Sequence, residues 1–307
     1  ADKPTDWITM KIDPEIFEEL GVRDPEVTKR EMAISKKSRQ VHKELKDDPN
    51  NLDLQIELAT LMIDGANYEE AIKQLKVIRN KDPKNARVHK LLGTAYVLFK
   101  HEEEAMLEMN RACELDPNDP ENHFNLGGLY LLRDMFQNAM HSFEKVIALD
   151  PTDITAYANL AAAYDMLKLY DKEIITLKKV LMFNPEDKEL RSALSNAYFN
   201  AERYEEAIDA AQCVVEIDDK DPQAYCNLGS CYSVRNMVDD AISAFKKASE
   251  LAPDYSLPHT NLGTLYANMG RPETAIKEFK MAVDLNSADA GAWLNLYNCY
   301  KDVGLME

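Results

Sequence analysis

The chain has 307 residues, 45% of them apolar and 29% charged, which supplies a sizeable core and excludes a disordered chain. Its formal net charge of −18 disfavours phosphate backbones and anionic lipid surfaces, so nucleic acid is not an expected partner and a neutral or basic protein segment is. Five cysteines without C-x-x-C spacing make no disulfide framework, and no apolar run approaches the roughly 20 residues that would insert into a membrane.

Taken in order, residues 1–23 form an N-terminal extension whose Trp7, Ile8, Met10, Ile12, Ile16, Phe17 and Leu20 belong to no repeat. Residues 24–51 read as a capping helix with an apolar stripe of Val27, Met32, Ile34, Val41 and Leu45. The chain starts at Ala1 rather than Met. A cytoplasmic location is expected, with an exported or periplasmic one as the alternative.

Residues 52–289 repeat every 34 residues. Prolines stand at Pro49, Pro83, Pro117, Pro151, Pro185 and Pro253, each ending a helical stretch that it cannot continue. With that proline at position 32, seven repeats start at Leu52, Ala86, Pro120, Ile154, Lys188, Pro222 and Ser256. Position 7 is Leu throughout, from Leu58 to Leu296. Position 8 is small, as in Gly93, Gly127, Ser195, Gly229 and Gly263. Position 11 is Tyr from Tyr96 onward, with Met62 in the first repeat. Position 20 is Ala in all but the fourth repeat, where Glu173 stands. Positions 4, 7, 8 and 11 share one helical face, as do 20, 24 and 27, so each repeat is a pair of amphipathic helices. A small residue at 8 opposite Ala at 20 is expected to let the two helices approach. Leu at 7 and Tyr at 11 are expected to fill the space between repeats, and Glu173 to loosen the fourth. Residues 290–307 read as the first helix of an eighth repeat or a C-terminal cap.

This pattern resembles the tetratricopeptide repeat (TPR) family. The resemblance implies an all-α, right-handed superhelical solenoid of antiparallel helix pairs. It also implies a concave surface lined by positions 2, 5, 6, 9, 12 and 13 of each first helix.

No catalytic constellation stands out, so the protein is read as no enzyme, with no cofactor and no metal site. His89, His123 and His259 recur at position 4, a packing position, and Cys226 and Cys231 lie five apart, off the spacing for shared ligation. Asparagine is more informative. Position 6 is Asn125, Asn159, Asn227, Asn261 and Asn295, and positions 9 and 13 add Asn196, Asn200, Asn268 and Asn298. Asn is a poor helix former, so its recurrence at one phase calls for compensation, either by neighbouring groups or by a ligand. A ladder of carboxamides can pair with both polar groups of an extended peptide backbone. The arrangement resembles the TPR superhelix of O-linked N-acetylglucosamine transferase, in binding mode only. Lys90 and an apolar set of Leu91, Val97, Leu98, Phe124, Leu131, Leu132, Met166 and Phe199 flank it. A two-carboxylate clamp for a chaperone tail is not assembled, because Thr94, Glu121 and Phe124 replace the residues it needs.

The expected function is therefore an interaction scaffold that holds a partner's extended segment in a concave groove. The alternatives are homo-oligomerisation, with the Trp7–Leu20 segment docking on a neighbouring copy, and a regulatory arm of a larger protein.

Overall fold

The computed structural model describes residues 25–304, which form sixteen α-helices; the expectations for residues 1–23 lie outside them. Helix α1 is Pro25–Asp47. Seven pairs follow: α2 (Leu52–Asp64) with α3 (Tyr68–Lys81), α4 (Ala86–Leu98) with α5 (Glu102–Leu115), α6 (Pro120–Leu132) with α7 (Phe136–Leu149), α8 (Ile154–Met166) with α9 (Tyr170–Leu181), α10 (Lys188–Asn200) with α11 (Tyr204–Ile217), α12 (Pro222–Val234) with α13 (Val238–Leu251), and α14 (Ser256–Asn268) with α15 (Pro272–Leu285). Helix α16 is Ala290–Asp302. The chain divides into two compact units, Ala1–Leu129 and Tyr130–Glu307. Each is built of antiparallel helix pairs stacked on one another.

The first helix of a pair, here the A helix, occupies positions 1–13 of the repeat, and the second, the B helix, positions 17–30. Most A helices start under a side-chain cap. Asn51, Asn85, Asp153, Asp187, Asp221 and Asp289 accept the backbone N–H three residues on, at 2.9–3.3 Å. Each such cap is worth about 1 kcal/mol. The turn from A to B places position 15 in the left-handed region in every repeat, with φ between 55° and 69°. Only Gly270 and Gly304 are glycines there; Ala66, Lys100, Asp134, Lys168, Glu202 and Asn236 carry a Cβ in a conformation that disfavours it.

The core follows the repeat register. All eight position-7 leucines are buried, and Ala71, Ala105, Ala139, Ala207, Ala241 and Ala275 are fully so. The small residue at position 8 faces the side chain at position 24 as well as the backbone of the Ala at 20. A Cβ on Gly93 would lie 2.5 Å from Met109 Cγ, and one on Gly229 or Gly263 would lie 2.8 or 2.7 Å from the ring of Phe245 or Phe279. Position 20 meets position 8 through its backbone: a Cβ on Gly93 would lie 3.4 Å from the Ala105 carbonyl, and Ser195 Oγ donates to the Ala207 carbonyl at 2.9 Å. Position 11 does join successive repeats. Lys76, Lys178 and Lys280, each at position 25 of a B helix, lie 5.4–5.6 Å from the ring centroids of Tyr96, Tyr198 and Tyr300 of the next A helix.

Two places depart from the regular pattern. In α1 only the later half of the stripe is covered: Val41 is buried and Ile34 and Leu45 pack with it against Leu58 and Leu61, while Val27 and Met32 are exposed. Stacking on α2 reaches only that half. In the fourth repeat Glu173 is buried within the pair, α9 ends two residues earlier than the other B helices, and Met182 and Phe183 beyond it are exposed.

Candidate functional site

An A helix has two stripes. Positions 4, 7, 8 and 11 face the core, and positions 2, 6, 9 and 13 lie one after another on a second face. The residue at position 6 is half-buried in all eight A helices, whatever its type: Glu57, Leu91, Asn125, Asn159, Ala193, Asn227, Asn261 and Asn295. Position 6 is therefore a constant environment at the edge between core and water. An asparagine there keeps its carboxamide within reach of solvent. Asn196, Asn200, Asn268 and Asn298 are exposed on the same face.

The candidate residues fall into both units. Lys90, Phe124 and Asn125 belong to the first; Leu131, Asn159, Met166, Phe199, Asn227, Asn261 and Asn295 belong to the second. In the second unit α12 and α14 bring several polar groups together. Asn261 Nδ2 reaches Cys226 Sγ at 3.6 Å, Gln223 Nε2 donates to Asn227 Oδ1 at 2.8 Å, and the Tyr255 hydroxyl donates to Gln223 Oε1 at 2.5 Å. Asn227 thus retains two N–H donors, and Asn261 retains its carbonyl oxygen and one donor. Asn159 stands two repeats from Asn227, separated by Ala193 at the intervening position 6.

The flanking residues differ in accessibility. Leu98, Leu132 and Met166, all at position 13, are exposed, whereas Leu91, Val97, Phe124 and Leu131 are half-buried. Phe199 packs on the core and meets the Tyr204 ring edge-on at 5.6 Å between centroids. Lys90 is engaged within the protein: its ammonium bonds Asp119 at 3.1 Å and Glu121 at 2.5 Å. Burial alone would lower its pKa, but the two carboxylates outweigh burial and raise it. Lys188 is held in the same way by Asp218 at 2.9 Å and Asp221 at 3.1 Å.

The groups with chemical potential lie in the core. Burial pushes the Cys226 and Cys231 thiols up to about 11, so both are neutral at physiological pH and poor nucleophiles. Two position-4 histidines bind a glutamate at position 23 of their own B helix. His89 Nδ1 lies 2.6 Å from Glu108 and His259 Nδ1 lies 2.8 Å from Glu278, pairs that sequence spacing alone did not reveal. Among the described residues there is no group of three His, Cys, Asp or Glu side chains arranged to hold a metal, and no helix is long and apolar enough to cross a membrane.

Comparison with known proteins agrees with this architecture. Models described as tetratricopeptide repeat match residues 39–95, 86–119, 120–153, 142–174, 222–255 and 244–277, together more than half of the chain. No curated protein sequence matches. Among solved structures, the C-terminal part of a TPR repeat-containing protein from Cytophaga hutchinsonii is 15% identical over 78% of this chain and 99% of its own, with a TM-score of 0.63. The MamA protein is 25% identical over 56% of this chain and 93% of its own, with a TM-score of 0.50. The Cut9–Hcn1 hetero-tetramer of the APC/C is 18% identical, with a TM-score of 0.51; the match covers 87% of this chain but only 52% of that one. At these identities the likeness to Cut9–Hcn1 and to the Cytophaga protein is one of fold. The chain belongs to the tetratricopeptide repeat family.

Proposed function

We propose that this protein is an interaction scaffold that holds an extended segment of a partner against the A-helix face of the second unit, which carries Asn159, Asn227, Asn261 and Asn295. The observation that carries the reading is the recurrence of asparagine at a position whose burial is constant along the chain. At the edge of the core a carboxamide is held in place by its surroundings yet retains donors and acceptors. Those groups match the alternating C=O and N–H of an extended backbone and are indifferent to its side chains. Exposed Leu132 and Met166 supply apolar contacts beside them. The likeness to Cut9–Hcn1, an assembly of two different proteins, is consistent with a scaffold.

The test is the triple variant Asn159→Ala, Asn227→Ala and Asn261→Ala. Each lost pairing is worth about 0.5–1.5 kcal/mol, with coupling between sites. Titration of a peptide selected from an array of unstructured sequences should show weakening of about tenfold or more. Thermal melting should show unchanged or slightly raised stability, because Ala is the better helix former. Lower stability with unchanged peptide binding would make the asparagines structural and remove the reading.

A further inference from the structure

We infer that the first unit carries a second binding site, a basic cleft between α3 and α5 that accepts an acidic, partly apolar segment of a partner protein. The sequence gives the first sign. Residues 73–90 hold seven Lys or Arg and a single Asp, inside a chain of net charge −18. Some of these cations have partners: Lys73 pairs with Glu69, Arg79 with Glu108, and Lys90 with Asp119 and Glu121. Lys81, Lys84 and Arg87 are exposed and make no ion pair among the described residues. The helix dipole explains a cation at the end of α3, such as Lys81.

The cleft has a volume of about 610 Å³. Its floor is a buried polar assembly. His89 Nε2 meets the Pro83 carbonyl at 3.1 Å, His89 Nδ1 meets Glu108 Oε2 at 2.6 Å, and Arg79 donates to Glu108 Oε1. His89 and Glu108 are only 6% and 4% exposed. Both oxygens of the one carboxylate in the lining are therefore taken. What remains open is a set of donors: the unused N–H groups of Arg79, those of Arg111 beyond its bond to Glu114, and the Asn80 amide. Leu107 lies beside them, 70% exposed. Charge-assisted donors next to an apolar plate recognise an anionic side chain flanked by an aliphatic one.

The repeat provides its own control. One repeat earlier the same cleft recurs in register, and Leu45, Gln55, Gln74 and Val77 stand where Arg79, His89, Glu108 and Arg111 stand here. A third cleft, in the second unit, is lined by Asp240 and Glu250 as well as Lys246 and Lys247. The cleft as such is a product of the repeat: the earlier one is lined by a single cation, Lys81, whereas this one holds two guanidinium groups, Arg79 and Arg111. An acidic peptide suits it better than a nucleic acid, because the surrounding acidic surface repels a long polyanion.

The test uses the whole chain and three fluorescein-labelled twelve-residue peptides with the repeat Glu-Glu-Leu, Gln-Gln-Leu or Lys-Lys-Leu, followed by anisotropy at low and physiological salt. The acidic peptide should bind, more weakly at higher salt, and the other two should not. The exposed double variant Lys84→Gln, Arg111→Gln leaves the buried pair intact and should weaken that binding about tenfold or more. Lys246→Gln with Lys247→Gln should have no effect. The asparagine triple variant should bind the acidic peptide as the parent does, which separates this site from the A-helix face. No binding of the acidic peptide at low salt, binding unchanged by the basic double variant, binding lost in the asparagine variant, or tighter binding of a single-stranded oligonucleotide would each overturn the inference.

Discussion

The pairs α8–α9 and α14–α15 lie three repeats apart in the same unit, on one register, and they close differently. In α14–α15 the absence of a side chain at Gly263 admits the fully buried ring of Phe279, Ala275 is fully buried, and Gly270 makes the turn. In α8–α9, Ala161 stands at position 8, Glu173 at position 20, and Lys168 in the turn with φ 57°. Yet Leu160 and Leu262, and Tyr164 and Tyr266, are buried alike. The leucine and tyrosine that engage neighbouring repeats hold the register, and the contact inside a pair can depart from the ideal with local consequences. This is what nearest-neighbour coupling in a repeat array implies.

Glu173 is the strongest departure. It is 5% exposed, and its Oε2 has no hydrogen-bond partner among the described residues. Burial, and after it the charge of Asp165, pushes its carboxyl up to about 7 from an ordinary 4.5. The folded chain therefore keeps this proton to higher pH than the unfolded chain. Stability is greatest below pH 4.5 on this account and falls as pH rises toward 7. The loss is complete above that and amounts to about 3 kcal/mol. Glu173→Ala restores the residue of the other repeats and should recover that amount at pH 8, as judged by urea unfolding. At pH 4.5 the gain should shrink to the helix-propensity difference. An equal gain at both values would show that the carboxylate is solvated.

The converse change should make α14–α15 the weak pair. In Gly263→Val the new Cβ would meet the Phe279 ring at 2.7 Å, so the ring must move within a filled core. A loss of about 1–3 kcal/mol is expected, with hydrogen-exchange protection falling mainly in α12–α16. Protection lost evenly along the chain would contradict local coupling. The smallest of the three effects concerns the turn. Lys168→Gly relieves a Cβ in the left-handed region and should raise stability by roughly 1 kcal/mol, whereas Gly270→Ala should lower it by a similar amount. Two melting curves decide this, and shifts of the same sign would remove strain as the explanation.

Some of this was legible in the residues. A Leu every 34 positions, Tyr four further on, and Pro after five of the seven B helices determined the helix pairs, because local periodicity states which face of a helix is apolar. The recurrence of asparagine at one helical phase was visible for the same reason. Other features had no local signal. The left-handed turn residue is Ala, Lys, Asp, Glu or Asn in six repeats, so only Gly270 and Gly304 marked the conformation.

The sequence by itself determined the architecture, since a fixed register of apolar residues admits few ways of burying them. Only the tertiary structure decided which polar groups are spent and which are free. That Lys90 is tied to Asp119 and Glu121, that Arg79 and His89 occupy both oxygens of Glu108, and that position 8 opens toward position 24 all depend on distances between helices. Those distances are set by the stacking of side chains from separate turns and separate repeats, and no spacing within a single helix encodes them.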